Sequence, residues 1–242
     1  MSSARFSLDA PPFASLTGAG VRVAVIDSGV FPGNPHIGAS VSGVRIHIGG
    51  EIDGDFVDRI GHGTAVAAAI LEKAPGIELL AVRVFDRTLA TSANVLAEGI
   101  KWAAANGARL VNLSLGTSNP ARAALLGAAV DDAMDAGAIV VAARESGGVT
   151  WLPGSLPTVA GVRLDPSCER NQLGVSLGDW MQPACFTASG YPRPIPGVPA
   201  ERNLSGISFA VANVTGFLSR LLEADDTVRD VSGIARVLRA GV

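Results

Sequence analysis

The chain has 242 residues, 48% of them hydrophobic and 17% charged, with a net charge of −3. That weak negative balance, with no Lys/Arg run, argues against nucleic acid as a partner. No apolar run approaches the ~18 residues a membrane span needs, so no membrane role is expected. So much apolar sequence suits a large core around a parallel sheet covered on both faces.

Residues 1–19 read as a loosely packed lead-in without the apolar centre of a signal peptide. A short apolar strand over 22–26 ends at Asp27, in Val25-Ile26-Asp27-Ser28-Gly29. Residues 28–43 are rich in Gly, Pro, Asn and Ser and predict loop, and a strand follows over 44–48. Glu51, Asp53, Asp55 and Asp58 crowd the next loop. Close carboxylates suit calcium, but the spacing is not that of an EF-type loop. The segment reads as a solvated acidic loop, with a substrate-facing rim as the alternative; a structural calcium is not indicated and no cofactor is expected.

Gly61-His62-Gly63-Thr64 opens a small apolar run that predicts a helix from Gly63 to about Lys73, ended by Pro75-Gly76. A strand over 78–84 follows, then a helix capped by Thr91 or Ser92 and reaching Asn106-Gly107. A strand over 109–113 leads into Ser114-Leu115-Gly116; Asn119-Pro120 opens another helix that closes at Gly137, before a strand over 138–143. Strands alternating with helices predict an α/β fold with a parallel sheet. From Trp151 to Asn203 the pattern changes to short strands, about 158–164 and 172–177, among Pro- and Gly-rich turns. The last apolar helix begins near Ser208, in Gly206-Ile207-Ser208-Phe209-Ala210.

Ser208 at a helix start reads by itself as an N-cap. The same place suits an acyl-transfer nucleophile, because unpaired N–H groups and the helix dipole favour negative charge there. A serine nucleophile needs a base and a third group to orient that base. Of the three histidines, His36 lies in a Pro/Gly turn and His47 in the 44–48 strand, whereas His62 precedes a buried helix. Asp27 stands at the C-terminal end of a buried strand, where open α/β sheets place functional groups.

Val-Ile-Asp-Ser-Gly, Gly-His-Gly-Thr and Gly-x-Ser-x-Ala, in that order, resemble the subtilisin-like serine proteases. The resemblance runs from about Gly20 to about Leu222. It implies a three-layer fold with an about seven-stranded, mostly parallel sheet and a peptidase domain over 20–242. It also implies Ser208 as nucleophile, His62 as general base and acid, and Asp27 as the orienting carboxylate. Ser114-Leu115-Gly116 resembles the edge on which the family pairs an extended peptide, with Ala143 and Arg144 in another wall. The implied partner is therefore a peptide or protein substrate, and narrow processing of a precursor is favoured over bulk digestion.

The chain departs from the family pattern in four places. Where the family has the asparagine that donates to the oxyanion, an ungapped match puts Ser146, with Glu145 before it; a one-residue shift would put Glu145 there. Ile207, Phe209 and Ala212-Asn213 replace the usual Thr, Met and Pro-His. A catalytically silent domain that binds an extended peptide is the alternative these departures leave open. Many family members are secreted behind a long pro-segment; if this chain is complete, it is expected to fold without one. Cys168 and Cys185 are not a disulfide framework, so free thiols and a cytoplasmic location are expected, with one bridge left open. Oligomeric state is not legible in the sequence.

Overall fold

The structure, a computed structural model, describes residues 3–176, 184–199 and 202–240. In chain order its elements begin β1 (Ser3–Ser7), β2 (Arg22–Asp27), β3 (Val41–Ile46), β4 (Ile52–Asp53), α1 (His62–Lys73) and β5 (Glu78–Arg83). There follow α2 (Ala93–Ala105), β6 (Leu110–Leu113), α3 (Ala123–Asp135), β7 (Ile139–Ser146) and β8 (Val149–Thr150). The last are β9 (Ala160–Leu164), β10 (Gln172–Ser176), β11 (Cys185–Ala188), α4 (Ile207–Ala224) and α5 (Val231–Ala240).

β2 shows why the sheet forms. Its side chains alternate, Val23 and Val25 entering one apolar cluster and Ala24 and Ile26 the other, as the two-residue period of a strand demands. The first cluster is covered by α1, α4 and α5, the second by α2 and α3. Both faces of β2 are dry, which explains its unbroken apolar run. The result is the expected three-layer α/β fold.

The strand order is β1-β10-β11-β9-β7-β6-β2-β5-β3-β4, with β8 paired to β7. The run from β11 to β3 is parallel throughout, which makes seven parallel strands as expected. Antiparallel β1, β10 and β4 close the edges.

The lead-in is not loosely packed. β1 pairs with β10 over five residues, and the Phe13 ring lies 4.5 Å from that of Phe217 on α4. Glu223 accepts hydrogen bonds from the backbone N–H groups of Thr17, Gly18 and Ala19. Leu8 and Phe13 supply the buried surface that a short polar-looking segment conceals.

The strand expected at 44–48 runs instead over β3, and His47 lies beyond it, its ring 2.7 Å from Asp53. The strand expected at 138–143 continues through Ser146 and folds back through Gly147-Gly148 into β8. The region read as loop-rich adds β11 to the parallel sheet. Residue 177, expected to end a strand, lies outside the described residues.

Candidate active site

β2 ends by delivering Asp27, fully buried, to the start of α1. His62 is the first residue of α1, and its Nδ1 lies 2.8 Å from Asp27 Oδ1. The same oxygen accepts the N–H of Ser28 at 2.7 Å, and Oδ2 has no partner. This approach needs glycine at 63. A Cβ there would sit 2.2 Å from the Gly29 carbonyl oxygen and 3.1 Å from Asp27 Cβ. Gly63 N–H donates to Ser28 Oγ at 2.9 Å and pins the helix start to the strand end.

Partial burial by itself would lower the pKa of His62. The hydrogen bond and charge of Asp27, with the charge of Asp58 behind it, outweigh that and leave the pKa raised above 6.5. The imidazolium that forms when the ring takes a proton is thereby stabilised.

Asp58 is the functional residue that sequence reasoning missed. It was grouped with the acidic loop, yet it is buried, and its oxygens accept from Ile60 N, Gly61 N, Thr64 N and Thr64 Oγ1 at 2.6–2.9 Å. It satisfies the free N–H groups at the start of α1 and so fixes His62. The signal available was an acidic residue six positions before Thr64, ahead of a helix with no side-chain cap at Gly61. Two other carboxylates of that loop are paired, while Glu51 is exposed as expected. Asp53 meets His47, and Asp55 pairs with Arg59 and Arg83. Among the described residues no group of three or more His, Cys, Asp or Glu side chains is arranged to hold a metal.

Ser208 is the second residue of α4, behind Gly206, whose φ of 155° only glycine adopts easily. The ring of the following residue, Phe209, lies 6.0 Å from the His62 ring, which places the helix start over the Asp27–His62 pair. Ser208 Oγ donates to the Ser114 carbonyl at 3.3 Å, and the structure shows no hydrogen bond from it to His62. Behind it runs a buried polar chain. Thr215 Oγ1 donates to Asn112 Oδ1 at 2.9 Å, and Asn112 Nδ2 donates to Ser114 Oγ at 2.9 Å.

Of the expected substrate edge, Ser114 lies against Ser208, while Leu115 and Gly116 are half-exposed. The backbone groups of Leu115 and Gly116 make no hydrogen bond among the described residues, as an edge awaiting an extended chain requires. Thr117 pairs with Leu152 just beyond. In the second expected wall Ala143 is buried, and the carbonyl of Arg144 accepts from Trp151 N at 3.0 Å. Arg144 Nη1 is buried without a partner. Glu145 forms a 2.8 Å ion pair with Arg163 on β9, and Ser146 sits at the mouth of the β7–β8 hairpin, facing Val149. Neither hydrogen-bonds to Ser208 or His62.

Asn213, at a position where the family has another residue, ties α4 to the segment before it. Its Nδ2 donates to the carbonyls of Ser189 and Tyr191 at 2.7 and 3.1 Å.

A sequence model of the subtilase family matches residues 18–148. The chain belongs to the subtilase family. This subtilase is 34% identical over 216 residues to Subtilisin Savinase of Lederbergia lenta, covering 83% of this chain and 76% of that protein. It is equally similar to an Alkaline protease of Alkalihalobacillus alcalophilus, of which it spans about half, 53%. Among solved structures, a cold-adapted subtilisin-like serine proteinase superposes with a TM-score of 0.71 at 22% identity, over 90% of this chain and 81% of that one. The Prenylagaramide maturation protease PagA superposes with a TM-score of 0.67 at 26% identity, over 91% and 82%. By this kinship the subtilase is a subtilisin-like serine endopeptidase, acting on peptide or protein substrates.

Proposed function

We propose that this subtilase cleaves peptide bonds with Ser208 as nucleophile, His62 as general base and then acid, and Asp27 as the orienting carboxylate. The observation that carries the reading is the 2.8 Å Asp27–His62 contact beneath the start of α4. For attack, Ser208 Oγ turns from the Ser114 carbonyl toward His62 Nε2. Its proton passes to the ring while Oγ bonds to the scissile carbonyl carbon. The imidazolium returns that proton to the leaving amine, and water then releases the acyl group from Ser208 by the same route. Asp27 holds Nδ1–H and stabilises the charged ring. Leu115 and Gly116 offer open backbone to the acyl half of the substrate.

We further propose narrow processing of a peptide precursor, in a reducing cytoplasm. The likeness to a maturation protease supports the first, and the two unbridged cysteines support the second. Processing implies few cuts in a denatured protein mixture; digestion to short peptides would overturn it.

A fluorophosphonate probe tests the chemistry, because it reacts with activated serines. Covalent labelling at Ser208 is expected, and its loss in His62→Ala. The second reading, a silent peptide-binding domain, is favoured by the Ser208–Ser114 hydrogen bond and by the engagement of Glu145 with Arg163. It predicts no labelling.

A further inference from the structure

A cleft of about 340 Å³ opens on the α1 side of His62. Its floor is the first two turns of α1, through Thr64, Ala65 and Ala68. Its walls are Phe31, from the loop after β2, and Ile195 and Leu204, from the proline-rich segment before α4. These three are 50%, 50% and 58% exposed, large apolar side chains facing one hollow. Such clustering marks a binding surface rather than scattered surface apolarity.

The far wall is held in place. Asn203 Nδ2 donates to the Arg193 carbonyl at 2.9 Å, and Asn213 grips the root of the segment at Ser189 and Tyr191. Pro192, Pro194, Pro196 and Pro199 restrict what lies between. The charge of Asp58 in the floor is turned inward, into its four hydrogen bonds with α1 and its approach. Arg193 and His36 stand at the margin. The cleft is preformed and apolar at its centre, which lowers the cost of filling it.

Its position names the occupant. The cleft shares no residue with the Ser114–Gly116 edge, so it is not where the acyl half of the substrate pairs. It is lined by Gly61 and Thr64, on either side of His62 in the chain; His62 hands its proton to the departing amine, so the departing half of the substrate crosses this side. From His62 to Ala68 is six helix residues, about 9 Å. An extended peptide covers that with about three residues. We propose that the cleft takes a large apolar side chain from among the first three residues after the scissile bond, and thereby selects the bond that is cut. The proposal rests on the peptidase reading above.

Two quenched fluorogenic peptide pools test it. Both have a randomised acyl half; one carries Leu, the other Ser, at all three positions after the scissile bond. A third pool has the same acyl half on an aminocoumarin amide, with nothing beyond. Wild type should cut the Leu pool at least tenfold faster in kcat/KM than the Ser pool. Ile195→Ser and Phe31→Ser should lose most of that preference and hydrolyse the aminocoumarin pool within about twofold of wild type. Equal cutting of both peptide pools by wild type would overturn the proposal, as would equal losses by the variants on all three. Ser208→Ala, titrated with labelled peptides beginning Leu-Leu-Leu or Ser-Ser-Ser, reads the cleft without turnover. Tighter binding of the first by about tenfold supports the site even if no pool is hydrolysed, which would count only against the peptidase reading; equal binding counts against the site.

Discussion

Thr215 Oγ1 on α4 donates to Asn112 Oδ1 on β6 across 2.9 Å, with both side chains fully buried. The bond joins the helix that carries Ser208 to the strand that leads into Ser114. Thr215→Val keeps the shape and leaves the Asn112 oxygen unpaired in a dry core. Urea unfolding should show a loss of about 1–3 kcal/mol with an unchanged m-value. Adding Asn112→Leu should cost less than the two separate losses summed, because the orphaned oxygen is then gone.

Asp27→Asn tests the orienting role. The amide favours the wrong imidazole tautomer, and kcat should fall by about 10⁴ with the fold retained. A loss below tenfold at neutral pH would remove Asp27 from the mechanism.

The raised pKa of His62 sets the acid limb of activity. Hydrolysis needs the neutral ring, so the midpoint of that limb should lie above the ordinary histidine value of about 6.5. The sign for stability is opposite. The charged ring is the better-stabilised form, so its contribution is complete below about pH 6.5 and is lost as pH rises through the folded pKa. Asp58→Asn removes one of the charges that raise the value, so the limb should move to lower pH. A pH profile of kcat/KM for both proteins checks this.

Asp58 has a stability signature of its own. Burial alone would raise its pKa, but the Thr64 hydroxyl and the N–H groups of Gly61, Thr64 and Ile60 outweigh that and lower it. Its contribution is therefore present above about pH 4 and is lost as pH falls through the depressed folded value. Asp58→Asn should flatten that part of the acid-unfolding curve.

Lys73 at the end of α1 is 5% exposed, and burial, with Arg170 nearby, pushes its pKa down to about 8 against the partial help of Glu72. Between about pH 8 and 10.5 the unfolded chain holds a proton that the folded one has lost, so stability rises with pH there. Lys73→Met should remove that rise and stabilise the protein near pH 7 by up to about 3 kcal/mol. Chemical denaturation at pH 7 and pH 10 measures both effects.

The parallel sheet was legible because the centres of β2, β5, β6 and β7 are buried on both faces and are almost wholly apolar, Asn112 being the one polar residue among them. Asp27 and His62 were legible as residues at the ends of such elements. What was not legible depends on distance in sequence. Asp58 works through a turn that brings it back under Thr64, and nothing local separates it from Asp55. β1 looked like a tail because its partner strand begins 165 residues past its own last residue, Ser7 against Gln172. Residues 143–148 were placed by matching a motif, whereas the two-glycine turn draws Glu145 and Ser146 into a hairpin whose course the motif does not contain.

The pairing of β1 with β10 and the Phe13–Phe217 contact also say something about time. The first strand of the chain has no place to go until residues 172–176 exist, and the Phe13 ring waits for residue 217. Asp27 and His62 are made early and Ser208 late, so a growing chain on the ribosome cannot assemble its own cutting centre. Loop closure over such spans makes folding slow, and the same spans keep a half-made protease from attacking its neighbours.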